Sequence, residues 1–247
     1  LWPLFKAIFT KADHIQTIST FLAKWARKMG ATCPITVVPN AADFALFSKQ
    51  VSWADSEALR QKFDRKEGDV FLITTSRLVV KNAVGDVIES LRHLPQNVKF
   101  LILGEGYEEG KLREKVAALG LAGRVHFAGH VAHKDMPAFL GISDIFVRPA
   151  LSEGLGNSFL EAMAAGIPVI ATPVGGIPDF LKDGETGLFC EVGNPRSIAQ
   201  KVEKLVKDRE SRDYIVRNAR AMVKEKYEWR RIAESMKKIF DSLPYRL

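Results

Sequence analysis

Several functions are excluded by what this chain does not contain. Only two cysteines, Cys33 and Cys190, occur in 247 residues. They lie far apart and without metal-ligand spacing, so two free thiols in a reducing cytoplasm are expected rather than a disulfide framework. No apolar run approaches the roughly 20 residues of a membrane-spanning helix. No targeting peptide stands out, because charge and Pro3 break up the first thirty residues. The chain starts with Leu instead of Met, and it reads as a processed or truncated piece of something longer. His130 and His133 form the one His-x-x-His pair, and no third ligand lies nearby, so no metal is expected. Ser-His-Asp and Cys-His arrangements are absent. Gly104-Glu105-Gly106 misses the dinucleotide fingerprint: Gly110 is displaced by one residue, and no acidic residue closes a following strand in the required place. A dehydrogenase is therefore set aside.

The composition that remains is ordinary for a globular protein, 47% hydrophobic and 26% charged. Lysine and arginine total 36 against 29 acidic residues, a formal charge of +7. That excess suits anionic ligands such as nucleotide phosphates, or an anionic membrane surface. The basic residues are dispersed and lack aromatic interleaving, so no nucleic-acid partner is expected. Trp25, Trp53 and Trp229 read as packing residues.

Short β-branched runs alternate with helical stretches. Strands are expected at 70–75, 98–103, 125–127, 145–147, 169–171 and 187–189. Helices are expected at 83–92, 108–119, 134–140, 158–165, 195–207 and 209–224. The run 169–171 does not alternate, so it should be covered on both faces. This pattern predicts an α/β fold, a doubly wound parallel sheet with helices on both sides. Such sheets bind ligands beyond the carboxyl ends of their strands. Five loops at that edge carry glycine or charge: 77–81, 104–106, 129–131, 152–154 and 174–176. Ahead of this domain, residues 4–11, 14–18, 20–29 and 35–38 read as one separate βα unit. A last helix is expected at 228–242.

The most informative stretch is Glu153-Gly154-Leu155-Gly156-Asn157-Ser158, followed by Glu161 within Phe159–Ala165. The helix is apolar nearly all round and should be buried. A carboxylate on it is costly unless donors meet it, and ligand hydroxyls are natural donors. A glycine loop running into a helix start forms an anion site, with Asn157 or Ser158 available as the cap. Gly166 and Pro168 stop the helix. Arg77 and Lys81, just past a strand, could neutralise a diphosphate as it gains charge.

These residues resemble the retaining, nucleotide-sugar-dependent glycosyltransferases of the GT-B fold, in particular the large family of bacterial α-mannosyltransferases, glycogen synthases and sucrose synthases. The family's setting is Pro-Ser-x-x-Glu-Gly-Phe-Gly, with a second Glu after seven residues. Here it is Pro149-Ala150-Leu151-Ser152-Glu153-Gly154-Leu155-Gly156, closed by Glu161. Pro39-Asn40, Pro168–Thr172, Gly175-Gly176-Ile177 and Asp183–Gly187 also match. Two departures are Ala150 for the common Ser, and Lys81-Asn82-Ala83 for the usual Lys-Gly.

The resemblance implies a Rossmann-like, C-terminal donor-binding half over 35–227. It implies that 1–34 is the last βα unit of an acceptor-side domain and that 228–247 crosses back onto it. Glu153, with Arg77 and Lys81, would serve the reaction. Glu161 would bind the ribose, and Gly154, Leu155, Gly156, Asn157 and Ser158 the diphosphate or sugar. Gly104, His130 and Val131 would lie along the nucleotide. The donor would be a UDP- or GDP-linked hexose, without a metal or other cofactor. The acceptor, a sugar or a lipid, would depend on the other half. A non-catalytic nucleotide-sugar-binding subunit and a sugar-nucleotide 2-epimerase share this architecture. The net charge, with Trp2, Phe5, Lys6, Phe9 and Lys11, permits peripheral contact at the inner face of a membrane. Packing against a neighbouring domain is expected first.

Overall fold

The computed structural model describes residues 2–243. The first and last segments expected above, 1–34 and 228–247, therefore lie partly outside the described residues. The chain opens with α1 (Trp2–Lys11), β1 (Ile15–Thr17), α2 (Thr20–Lys28) and β2 (Ile35–Val37), with β1 and β2 paired in parallel. Two helices that the sequence pattern did not announce follow, α3 (Phe44–Phe47) and α4 (Trp53–Lys62). The main domain then runs β3 (Val70–Thr75), α5 (Val84–Ser90), β4 (Val98–Leu103), α6 (Glu109–Ala118), β5 (Val125–Gly129) and α7 (Met136–Gly141). It continues with β6 (Ile145–Arg148), α8 (Asn157–Ala164), β7 (Val169–Ala171) and β8 (Leu188–Phe189). Three helices close the chain: α9 (Pro195–Lys207), α10 (Arg209–Lys226) and α11 (Trp229–Ser242).

The main sheet is parallel throughout, in the order β5-β4-β3-β6-β7-β8. The chain enters at β3, builds outward to β5, then returns to β6 on the other side of β3. The loops leaving β3 and β6 therefore diverge, and a crevice opens between them at the carboxyl edge. Both faces are covered. Phe71 and Ile73 of β3 pack with Phe159 and Met163 of α8 and with Ala219 and Val223 of α10. Leu72, on the opposite face, packs with Val87 and Ile88 of α5, Val116 of α6 and Val202 of α9. Each fully buried Leu, Ile or Phe of these layers stabilises the fold by about 1.5–3 kcal/mol. All of β7 is buried, as its unbroken apolar run requires.

The leading βα unit is attached at the same edge. Ser19 caps α2 by accepting from the Leu22 amide, and the Thr20 amide donates to Asp179 Oδ2 at 2.7 Å. Phe5, Phe9 and Trp25 pack ring against ring between α1 and α2. At the far end of the chain, Ile232 and Ile239 of α11 pack on Val38 and Ala41. Trp53 and Trp229 do not pack as the sequence suggested: they are 80% and 59% exposed. Each stands at the first position of its helix, and α4 buries no residue at all.

Buried and half-buried charged pairs gather at the opposite pole, beneath the amino ends of the strands. Lys99 pairs with Asp69 at 2.8 Å, and Arg65 pairs with Asp144 at 2.8 Å. The His126 ring stacks on Phe71, and its Nε2 is buried without a partner among the described residues.

Candidate active site

Two adjoining lobes open at the switch point between β3 and β6. One, of about 480 Å³, is lined by the ends of β3, β4 and β5 and by Glu161 of α8. Gly104, His130 and Val131 lie along it. The other, of about 300 Å³, is lined by Lys81, Asn82, Arg148, Glu153 and the head of α8 from Leu155 to Ser158. Ile18 and Asn40 of the leading segment reach this second lobe. Ser76, Arg77 and Ser158 belong to both. Of the residues singled out from the sequence, only Gly154 lines neither lobe. Its amide donates to Glu153 Oε1 at 2.9 Å, so it is closed within the turn and is not free to hold a phosphate.

Arg148, at the end of β6, holds this region together. It is 6% exposed. Its Nη2 donates to Glu153 Oε2 at 2.8 Å and its Nη1 to Ser158 Oγ at 2.8 Å, while the guanidinium lies 4.1 Å from the Phe159 ring centre. Burial outweighs the opposing pull of Glu153 and then Glu161, and the guanidinium pKa is pushed down to about 10. A hydroxyl that accepts from Arg148 keeps its own proton to donate, and Ser158 faces both lobes. Ser158 and Asn157 do not cap α8 as the sequence suggested. Gly156 is the cap residue and makes no side-chain bond, while Asn157 Oδ1 accepts from Asn40 Nδ2 at 3.2 Å. The Phe159 amide donates to the Gly156 carbonyl at 3.1 Å, which leaves the amides of Asn157 and Ser158 with neither a helix carbonyl nor a cap ahead of them.

Gly156 is required by sterics. Its φ is +88°, and a Cβ there would lie 2.5 Å from Arg148 Nη2 and 2.6 Å from the Phe159 ring. Gly175 does the same for the facing loop: its φ is +58°, and a Cβ would lie 1.8 Å from the Glu153 carbonyl oxygen. The loops after β6 and β7 are thus packed backbone to backbone, and the Gly176 amide donates to the same oxygen at 3.1 Å.

Glu161 sits one helical turn below the head of α8 with its side chain 17% exposed. Burial raises its pKa, and His133 and Arg148 oppose the shift. His133 Nε2 lies 3.3 Å from Glu161 Oε1. Across the crevice, Arg77 and Lys81 are exposed on one loop. That loop is stapled by buried Asn82, whose Nδ2 donates to the Arg77 carbonyl at 2.7 Å, and by the Leu151 amide, which donates to the Lys81 carbonyl at 2.7 Å. Glu105 Oε1 accepts from the His130 amide at 3.3 Å and so tethers the loop after β5. The crevice thus sets two carboxylates and a helix N-terminus against two exposed cations. That arrangement suits a ligand with hydroxyls at both ends and a polyanion between them. Among the described residues, no three His, Cys, Asp or Glu side chains cluster as metal ligands.

Arg148, His133, Glu105 and Asn82 were not foreseen as parts of the site. Arg148 did carry a signal, the one that exposed Glu161: a charge inside an otherwise apolar buried element.

Residues 55–222 match the family described as Glycosyl transferases group 1. The chain belongs to this family. It is 30% identical over 208 residues to N-acetyl-alpha-D-glucosaminyl L-malate synthase of Bacillus anthracis, an alignment covering 83% of this chain and 53% of the relative. The chain spans about half the length of the first curated relatives it matches. Among solved structures it is similar to Anabaena HepE in complex with UDP and glucose, with a TM-score of 0.90 and 22% identity over 98% of this chain and 67% of that one. It is also similar to the C-terminal domain of the group 1 glycosyltransferase LpcC from Francisella tularensis, with a TM-score of 0.66 and 25% identity, covering 76% of this chain and 99% of that one. The fold is that of the C-terminal, Rossmann-like half of a GT-B glycosyltransferase. No described helix is long and apolar enough to cross a membrane.

Proposed function

We propose that this chain is the donor-binding half of a retaining hexosyltransferase that uses a UDP- or GDP-linked sugar without a metal. The observation that carries the reading is the placement of Glu153 in the loop ahead of α8 and of Glu161 one turn down the helix, facing Arg77 and Lys81 across the switch-point crevice. In this reading the base and ribose occupy the larger lobe, along Gly104, His130 and Val131, and the ribose diol donates to Glu161. The diphosphate lies over the free amides of Leu155 to Ser158, where backbone donors and the helix dipole favour negative charge. Arg77 and Lys81 reach it from the other side and stabilise the charge that develops as the sugar–phosphate bond breaks. Glu153, held by Arg148, accepts hydroxyls of the donor sugar in the smaller lobe. The acceptor hydroxyl then attacks the anomeric carbon from the face that the diphosphate leaves, and its proton passes to the departing diphosphate oxygen. HepE, bound to UDP and glucose, supports a donor of this chemical kind.

The acceptor, a sugar or a lipid, is bound by a second domain. Residues 1–34 are its last βα unit, and 228–247 cross back to it. The enzyme works in the cytoplasm, its leading helices pack first against the neighbouring domain, and it has no nucleic-acid partner. The present chain by itself binds donor and transfers sugar weakly or not at all. Calorimetric titration with UDP, GDP, ADP and their hexose conjugates tests this. Binding of one nucleotide series is expected, and no heat with any of them at millimolar ligand would overturn it.

A further inference from the structure

Glu161 is the expected ribose acceptor, yet in the structure one of its oxygens is already engaged. His133 Nε2 stands 3.3 Å from Oε1, while Oε2 has no hydrogen-bond partner among the described residues. Glu161 lines the larger lobe and His133 does not. The ring thus meets Oε1 from outside the lobe, with its own side chain 61% exposed. It lies in a short 3₁₀ turn, His133–Asp135, after β5. Its other support is Phe47 of α3, which is 2% exposed and meets the imidazole edge to face, with ring centres 5.2 Å apart. Phe47 belongs to the core that contains α8. The imidazole thus lies between a core aromatic ring and the carboxylate, and its remaining surface faces solvent. Opposite an ionised carboxylate, the ring nitrogen in contact carries the proton and donates.

We propose that His133 is a positioning residue for nucleotide binding: its Nε2–H holds Glu161 through Oε1 and turns Oε2 toward the cleft to receive the ribose hydroxyls. The proposal rests on the reading of Glu161 as the ribose acceptor. Without the histidine, a glutamate with several side-chain torsions on a helix must be ordered by the ligand itself, and that ordering weakens binding. A second donor at Oε1 also offsets the burial of the carboxylate, which otherwise favours its protonated form. A protonated Glu161 would offer one acceptor fewer to a diol that needs two. His130, three residues earlier, lines the lobe directly and has a different task.

The test uses two ligands and three proteins. UDP and 2′,3′-dideoxy-UDP are titrated by calorimetry into the wild type, His133→Ala and His133→Gln, with GDP and dideoxy-GDP in parallel. The wild type is expected to favour the ribonucleotide. His133→Ala should weaken ribonucleotide binding about tenfold, the size of one hydrogen bond to a charged group, and leave the dideoxy ligand unchanged. His133→Gln, whose amide N–H can take the place of Nε2–H, should recover most of the loss. Equal weakening of both ligands, or none, would overturn the positioning role while leaving Glu161 as the ribose acceptor. A wild type that does not distinguish ribo from dideoxy ligand would overturn both.

Discussion

Replacing Arg148 by Met removes the charge but keeps much of the side chain's length and its apolar contact with Phe159. It leaves Glu153, whose side chain is 14% exposed, without its cation. Removing one partner of a buried ion pair costs about 3–5 kcal/mol, because the remaining charge stays desolvated. The lost cation–π contact adds roughly 0.5–2 kcal/mol. Ser158 keeps access to solvent in the crevice and adds little. The expected loss is therefore at least about 3–5 kcal/mol, or roughly 6–20 °C in melting temperature for a chain of this size. Urea unfolding followed by circular dichroism measures the loss, and a second variant isolates its cause. Arg148→Met with Glu153→Leu replaces both charges with apolar groups, and pairs replaced together are often neutral or better. The double variant should therefore be more stable than Arg148→Met alone. The two residues are in contact, so their effects must not add. A loss below about 1 kcal/mol for the single change, or a double variant as unstable as the summed singles, would refute the view that this pair is a coupled buried device.

Gly156→Ala places a methyl group against Arg148 and Phe159 at a left-handed φ and should destabilise by about 2–4 kcal/mol in the same unfolding assay. Glu161→Gln removes a buried charge while keeping an acceptor for His133, so the ligand-free protein should melt higher at neutral pH while nucleotide binding weakens. Paired melts and titrations check this, and a lower melting temperature would contradict it. His126 is held neutral by its buried site beside Phe71, and burial, then Lys99, lower its pKa below the ordinary 6.5. The unfolded chain takes up its proton first as pH falls, so His126 contributes stability above pH 6.5 that is lost as pH drops toward the lowered value. Urea midpoints at pH 7.5 and 5.5 should differ more in the wild type than in His126→Phe.

The sheet was legible because its strands are short, β-branched and separated by helices of the right period. The end of α8 could be read residue by residue: Gly166 adopts φ +82° and Pro168 follows. Residues 41–69 were not legible, for a physical reason. Helix α4 buries no side chain, so no apolar stripe marks it, and α3 is a single turn begun by Asp43 accepting from the Leu46 amide. Glu161 was legible as a charge out of place on an apolar helix. Its partner His133 was not, because the contact joins residues 28 positions apart and depends on how the loop after β5 folds back over α8. The glycines of the 153–156 turn were read as room for a phosphate. Gly156 also makes room for Arg148, and the amide of Gly154 is spent inside the turn.

The central claim is that a nucleotide diphosphate lies across α8 with its ribose on Glu161. A crystal soaked with mixed UDP and GDP tests it most directly. The expected density shows one nucleotide in the crevice, with its ribose hydroxyls within hydrogen-bond distance of Glu161 and its diphosphate over the amides of Leu155 to Ser158. Nucleotide bound with its ribose away from Glu161, or bound only outside the crevice, would contradict the account.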